Sequence, residues 1–148
     1  MSPTILPCEA RHIGEIAAIY RHAVRHGTAS FELEPPGEEE MLSRWQALLA
    51  AGYPYLVAER DGQVTGYAYA GPYRARPAYR ATVENSIYIH PEQQGRGVGE
   101  LLMSRLIDAC TSLGFRQMVA VIGDSANVPS QRLHERLGFE LVGVLKSV

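Results

Sequence analysis

The chain has 148 residues and a formal net charge of −2, which is one domain's worth of sequence, spanning 1–148, with enough length for a substantial core. The near balance of charge offers no basic face for nucleic acid or an anionic membrane. No apolar run approaches the about 20 residues that a membrane helix needs, and no charged-then-apolar leader opens the chain, so a soluble cytoplasmic protein with no nucleic-acid or membrane partner is expected. Cys8 and Cys110 lack metal-ligand spacing, so no metal is expected, and Cys110 reads as a small core residue on a helix.

Residues 4–6 form a short first strand. Residues 11–25 set Ile13, Ile16, Ala17, Tyr20, Ala23 and Val24 at helical spacing, which predicts an amphipathic helix ended at His26 and Gly27. Residues 28–36 are a loop with one isolated aromatic, Phe31. Residues 37–51 predict a second helix with Met41, Leu42, Trp45, Leu48 and Leu49 on one side. Its Glu38, Glu39 and Glu40 fall in the first turn, where negative charge suits the helix dipole, and read as capping rather than a metal site. Residues 55–59 and 63–70 are strands joined by Asp61-Gly62, a strong hairpin signal. Residues 71–80 hold Arg74, Arg76 and Arg80 with no apolar period. They make either a solvated loop or a clamp for a carboxylate or a phosphorus or sulfur oxyanion.

Residues 82–105 carry the most information. Val83, Ile87 and Ile89 are apolar, and Ser86, Tyr88 and His90 alternate with the last two as in a strand; His90-Pro91 stops it because proline has no amide proton for the ladder. Gly95, Gly97 and Gly99 follow, and Leu101, Leu102, Leu106 and Ile107 then recur at helical spacing. A turn without Cβ atoms that opens into a helix presents unpaired N–H groups at the positive end of the dipole, a site for phosphate. No lysine stands near, since Lys146 is the only one in the chain, so a P-loop is excluded. The dinucleotide fingerprint fails at Glu100. Beyond it, residues 115–122 read as a largely apolar, buried strand, residues from Asn127 as a helix, and residues 139–145 as a last strand.

The spacing Gln94-x-x-Gly97-x-Gly99 resembles the pyrophosphate turn of the GCN5-related N-acetyltransferases. The segment Asn127, Ser130, Leu133, His134, Gly138 and Phe139 resembles that family's second hallmark, with His134 in place of the usual Tyr. The resemblance implies an α/β domain of the GCN5-related acetyltransferase fold, a mixed, mostly antiparallel sheet flanked by helices in the order β-α-α-β-β-β-α-β-α-β. Family members continue for about another strand beyond Lys146; either the sequence is truncated or the sheet has an open edge.

The resemblance also implies acetyl-CoA as cofactor. The backbone of Ile87, Tyr88 and Ile89 would pair with the pantetheine arm. The turn Gln94, Gly95, Arg96, Gly97, Val98, Gly99 and Glu100 would take the pyrophosphate, with Asn127 and Ser130 beside the arm. Attack of an amine on a thioester needs a base and a proton for the thiolate. Glu84 is the candidate base, against the plainer reading of a surface Glu or a partner of Arg80. His134 could donate the proton or act as the base, against that of a hydrogen-bonded core histidine. His12, His22, His26 and His90 lack supporting context, and Tyr20, Tyr53 and Tyr88 read as packing residues.

Residues 18–24, 28–36, 51–59, 66–91 and 131–140 are similar to the phosphinothricin and methionine sulfoximine acetyltransferases. That likeness implies a small amino-acid-like substrate bearing a phosphinate, sulfone or sulfoximine group, acetylated on its α-amine, and a homodimer. The substrate residues it implies are Phe31, Arg74, Arg76, Arg80, Glu84, Asn85 and Ser86. Arg76 and Asn85 depart from the group's common residues and leave side-chain specificity open. The rival readings are an acetyltransferase for an arylamine, polyamine or peptide N-terminus, which the Arg-rich loop disfavours for the basic acceptors, and a non-catalytic acyl-CoA-binding module.

Overall fold

The computed structural model of the chain describes residues 3–26, 34–73, 80–121 and 128–140. Strands β1 (Thr4–Pro7), β2 (Tyr55–Arg60), β3 (Gln63–Pro72), β4 (Thr82–Ile89) and β5 (Gln117–Val119) form one sheet in that spatial order. The first four pair antiparallel and β4 with β5 parallel. Helices α1 (Ile13–His26), α2 (Glu38–Ala50), α3 (Val98–Ser112) and α4 (Val128–Arg136) complete the element order. This is the mixed, mostly antiparallel arrangement that the sequence implied. Of the last expected strand only Phe139 and Glu140 belong to the described residues, and the rest lies outside them.

The β2–β3 hairpin forms where Asp61-Gly62 requires it. Asp61 has φ 53° and Gly62 φ 78°, the pair of left-handed residues that a two-residue turn between twisted strands needs. Helix α1 starts two residues later than its apolar spacing suggested, because a 3-10 turn at Ala10–His12 precedes it. His12 is buried there; its Nδ1 accepts from the Glu9 N–H at 2.8 Å and its Nε2 donates to the Glu59 carboxylate.

The sheet separates two apolar layers. On one face α1 and α2 bring Ile16, Tyr20, Met41 and Trp45 against Tyr55, Val57 and Tyr67. On the other, α3 brings Val98, Leu102, Met103, Leu106 and Cys110 against Ala58, Ala68, Ala70 and Val83, and Leu133 of α4 and Leu137 just beyond it pack on the same cluster. Cys110 is thus a core residue, as its setting suggested.

Two expectations fail. Of the stretch expected as a long buried strand, the described residues 115–121 make only a short one: β5 has three residues, Gln117 is exposed, and Met118 and Val119 are half-buried. An apolar run reports affinity for a sheet and not depth within it, and among the described residues nothing pairs with the far side of β5. Leu49 is 55 % exposed, because the buried stripe of α2 follows Met41, Trp45 and the partly buried Leu48, and Leu49 falls beyond its margin.

Candidate active site

Strand β4 and its neighbours define a gap. Along β3, β4 is paired from Val83 to Ile89. Along β5 it is paired only at Thr82, Val83 and Glu84. From residue 85 to 89 no strand among the described residues pairs with its outer edge, although three of these residues are Ile87, Tyr88 and Ile89. An unpaired edge presents N–H and C=O groups ready for an extended ligand.

That edge leads into the glycine turn. The His90 N–H donates to the Thr65 carbonyl at 2.9 Å, and the His90 ring accepts from the Glu92 N–H at 3.1 Å. His90 therefore fixes the entry to the turn, a role for which its sequence context gave no sign. Gly95 and Gly97 have φ 78° and 81°, and Gly97 caps α3 in the left-handed region with no side-chain hydrogen bond to the helix. Among the described residues nothing lies within 4 Å of a Cβ built at either position, so the backbone there is open to approach. The first N–H groups of a 15-residue helix face this opening, which favours an anion. Gln94, Arg96 and Glu100 are exposed around it, whereas the Val98 side chain is buried in the core, so only its backbone can serve the site. Glu100 pairs with Arg136 at 3.7 Å in solvent, where such a pair contributes little.

The pleat of β4 sorts the candidate side chains. Directly paired residues share a face. Ser86 is opposite Tyr69 and Tyr88 opposite Tyr67, so Glu84, Ser86 and Tyr88 face α1 and α2. Asn85 is opposite Ala70 and Ile87 opposite Ala68, so Asn85 faces α3. The structure therefore brings Glu84 and Ser86 together and separates Asn85 from both. Glu84 is half-buried and Arg80 exposed at the turn into β4. Phe31, Arg74, Arg76 and Asn127 lie outside the described residues.

On the Glu84 face a cleft of about 300 Å³ is lined by Tyr20, Met41, Arg44, Ala47, Leu48, Tyr55 and Tyr69. Its tyrosines continue a cluster in which Tyr55 and Tyr69 stack at 4.7 Å and Tyr67 and Tyr88 at 5.2 Å. Burial pushes the Tyr55 and Tyr67 phenols well up, so they stay protonated and serve as packing. This cluster draws on α1, β2, β3 and β4, and no local pattern in the sequence marks it.

His134 on α4 is 5 % exposed. Its Nδ1 donates to the Ser130 carbonyl at 2.7 Å, and its ring meets Phe139 edge-on at 5.0 Å. That hydrogen bond leaves Nε2 with the lone pair in the neutral ring, and Nε2 is buried without a partner among the described residues.

Residues 16–139 match the family model described as Acetyltransferase (GNAT) family. The chain belongs to that family. This GNAT domain is 55 % identical over 133 residues to the phosphinothricin N-acetyltransferase of Alcaligenes faecalis, covering 90 % of this chain and 68 % of that protein. It is 43 % identical to the L-methionine sulfoximine/L-methionine sulfone acetyltransferase of Salmonella typhimurium, covering 90 % and 77 %. Among solved structures, a phosphinothricin acetyltransferase of Sinorhizobium meliloti in complex with AcCoA superposes with a TM-score of 0.93 at 49 % identity, covering 97 % of this chain and 77 % of that one. No helix among the described residues of the GNAT domain is long and apolar enough to cross a membrane.

Proposed function

We propose that the enzyme transfers the acetyl group of acetyl-CoA to the α-amine of a small amino-acid analogue such as phosphinothricin, methionine sulfone or methionine sulfoximine, by direct attack in a ternary complex. The observation that carries this reading is the edge of β4 from residue 85 to 89, which no described strand pairs, running into a glycine-lined helix entrance without a side-chain cap. That edge and turn fit a ligand with an extended amide-bearing arm and a diphosphate. The names of the relatives at 55 % and 43 % identity support the acceptor class.

Acetyl-CoA supplies the activated acyl group as a thioester. Ile87, Tyr88 and Ile89 hold the arm through their backbone, and an N–H of the same edge meets the charge that develops on the acyl oxygen. The turn Gln94 to Glu100 holds the diphosphate, with Asn127 and Ser130 beside the arm. Glu84 takes a proton from the ammonium, directly or through water, on the face it shares with Ser86. His134 returns a proton to the sulfur from Nε2, which it can do once protonated there. Phe31, Arg74, Arg76 and Arg80 bind the acceptor's side chain and acidic groups. The enzyme works as a homodimer in the cytoplasm.

The test is release of coenzyme A thiol from acetyl-CoA with a panel of α-amino acids, arylamines, polyamines and peptides. Release with methionine sulfone or phosphinothricin, lost in Glu84→Gln, supports the proposal. Release only with a polyamine or peptide moves the substrate class, and tight coenzyme binding with no turnover on any amine makes the protein a binding module.

A further inference from the structure

We propose that Asn85 is a catalytic residue on the leaving-group side of the transfer, its amide donating a hydrogen bond to the coenzyme sulfur, and not a residue that binds the amine. This rests on the acetyl-CoA reading above. Asn85 is 6 % exposed, and its Nδ2 is buried with no hydrogen-bond partner among the described residues. A buried amide donor left unpaired is costly, and few such groups occur in a native domain without a function.

Its place narrows what it can meet. Asn85 is the first residue of β4 beyond the last pair with β5, Glu84 with Val119, and so stands where the two strands part. It faces α3, away from Glu84 and Ser86. An acceptor amine aligned on Glu84 therefore lies on the other side of the strand. Helix α4 reaches the Asn85 face: a Cβ built at Gly99 would lie 3.3 Å from Leu133 and 3.7 Å from Ile87. Leu133 is the neighbour of His134, whose ring meets Phe139 of the same layer and whose Nε2 is likewise buried with no partner among the described residues.

The two needs are complementary. Asn85 Nδ2 requires an acceptor, and neutral His134 Nε2 requires a donor. A thiol meets both, with lone pairs for Asn85 and its S–H proton for His134. As the carbon–sulfur bond breaks, the electron pair goes to sulfur. His134 enters the transfer as imidazolium, its Nε2 proton taken up from solvent; that proton passes to the sulfur and leaves the neutral ring facing the new thiol, while the Asn85 N–H bears on the charge.

The decisive measurement uses coenzyme A and the full-length protein without any amine. The thiolate absorbance of bound coenzyme A is read at one fixed alkaline pH against a desulfo-coenzyme A blank, with affinity measured by calorimetry. In Asn85→Leu the thiolate-to-thiol ratio of the bound coenzyme should fall about tenfold, while the KM for the amine holds and kcat drops. Asn85→Ala, which also lacks the donor, gives the same reading if leucine overpacks the layer. Equal ionisation in wild type and both variants overturns the assignment, as does a loss confined to the amine KM. Absence of coenzyme binding in the wild type overturns the acetyl-CoA reading as well, which separates the two failures.

Discussion

Glu84 and His134 lie on opposite sides of the sheet. Glu84 shares its face with Ser86 and the tyrosine cluster, and His134 belongs to a helix packed on the α3 face. One group therefore cannot simply substitute for the other. Glu84→Gln should lower kcat/KM by about 10²-fold or more, and the residual rate should climb with pH as the free amine becomes available without a base. His134→Gln should lose rate without that alkaline recovery. Steady-state pH profiles of both variants check this; equal recovery in the two would mean that they serve one proton.

Gly66 and Gly97 allow packing and the proposed cofactor turn to be tested separately. A Cβ at Gly66 would meet Ile89 Cδ1 at 2.8 Å and the Tyr88 carbonyl at 3.1 Å, so Gly66→Ala overpacks the β3–β4 contact and should cost about 1–3 kcal/mol of stability. At Gly97 the space is open but φ is 81°, and an L-residue there costs about 1–2 kcal/mol locally. Gly97→Ala should therefore raise the KM for acetyl-CoA more than it lowers the melting temperature, and Gly66→Ala should do the reverse. Thermal unfolding and acetyl-CoA titration of both variants give the comparison.

Much of this was legible in the sequence because it is local. Asp61-Gly62 can close only one kind of turn, and the three glycines before Leu101 mark a helix entrance. What was missed depends on partners far along the chain. Arg60 donates to the Gln93 side chain at 3.2 Å and so ties the end of β2 to the approach to the turn, a link across 33 residues with no pattern to reveal it. The tyrosine cluster is assembled from four elements in the same way. Asn85 is instructive for a different reason. Its alternation with Glu84 and Ser86 was readable from strand period alone, and grouping the three by proximity in sequence obscured the face it occupies.

The two thiols make a sharp test of the core. Burial pushes the Cys110 thiol up to about 11, and burial together with the Glu9 charge pushes Cys8 up to about 12. Reaction with disulfide reagents requires thiolate. Both cysteines should stay unreactive in the native protein at mildly alkaline pH and react on unfolding in denaturant. A thiol assay of folded protein that counts either cysteine within minutes would show that one of the two layers opens.

Acid sensitivity should trace to Glu59. The hydrogen bond from His12, with the Arg11 charge 3.0 Å away, holds this carboxyl below the usual 4.5. A carboxylate whose folded pKa is depressed adds stability above its unfolded value, and that stability is lost as pH falls through the folded one. In wild type the urea midpoint should therefore drop as pH is lowered beneath about 4.5. Glu59→Gln should be less stable at neutral pH, because buried His12 loses its anionic partner, and should show a shallower acid decline. If the two proteins keep a constant difference in midpoint down to the acid limit, the His12–Glu59 contact does not set the acid stability.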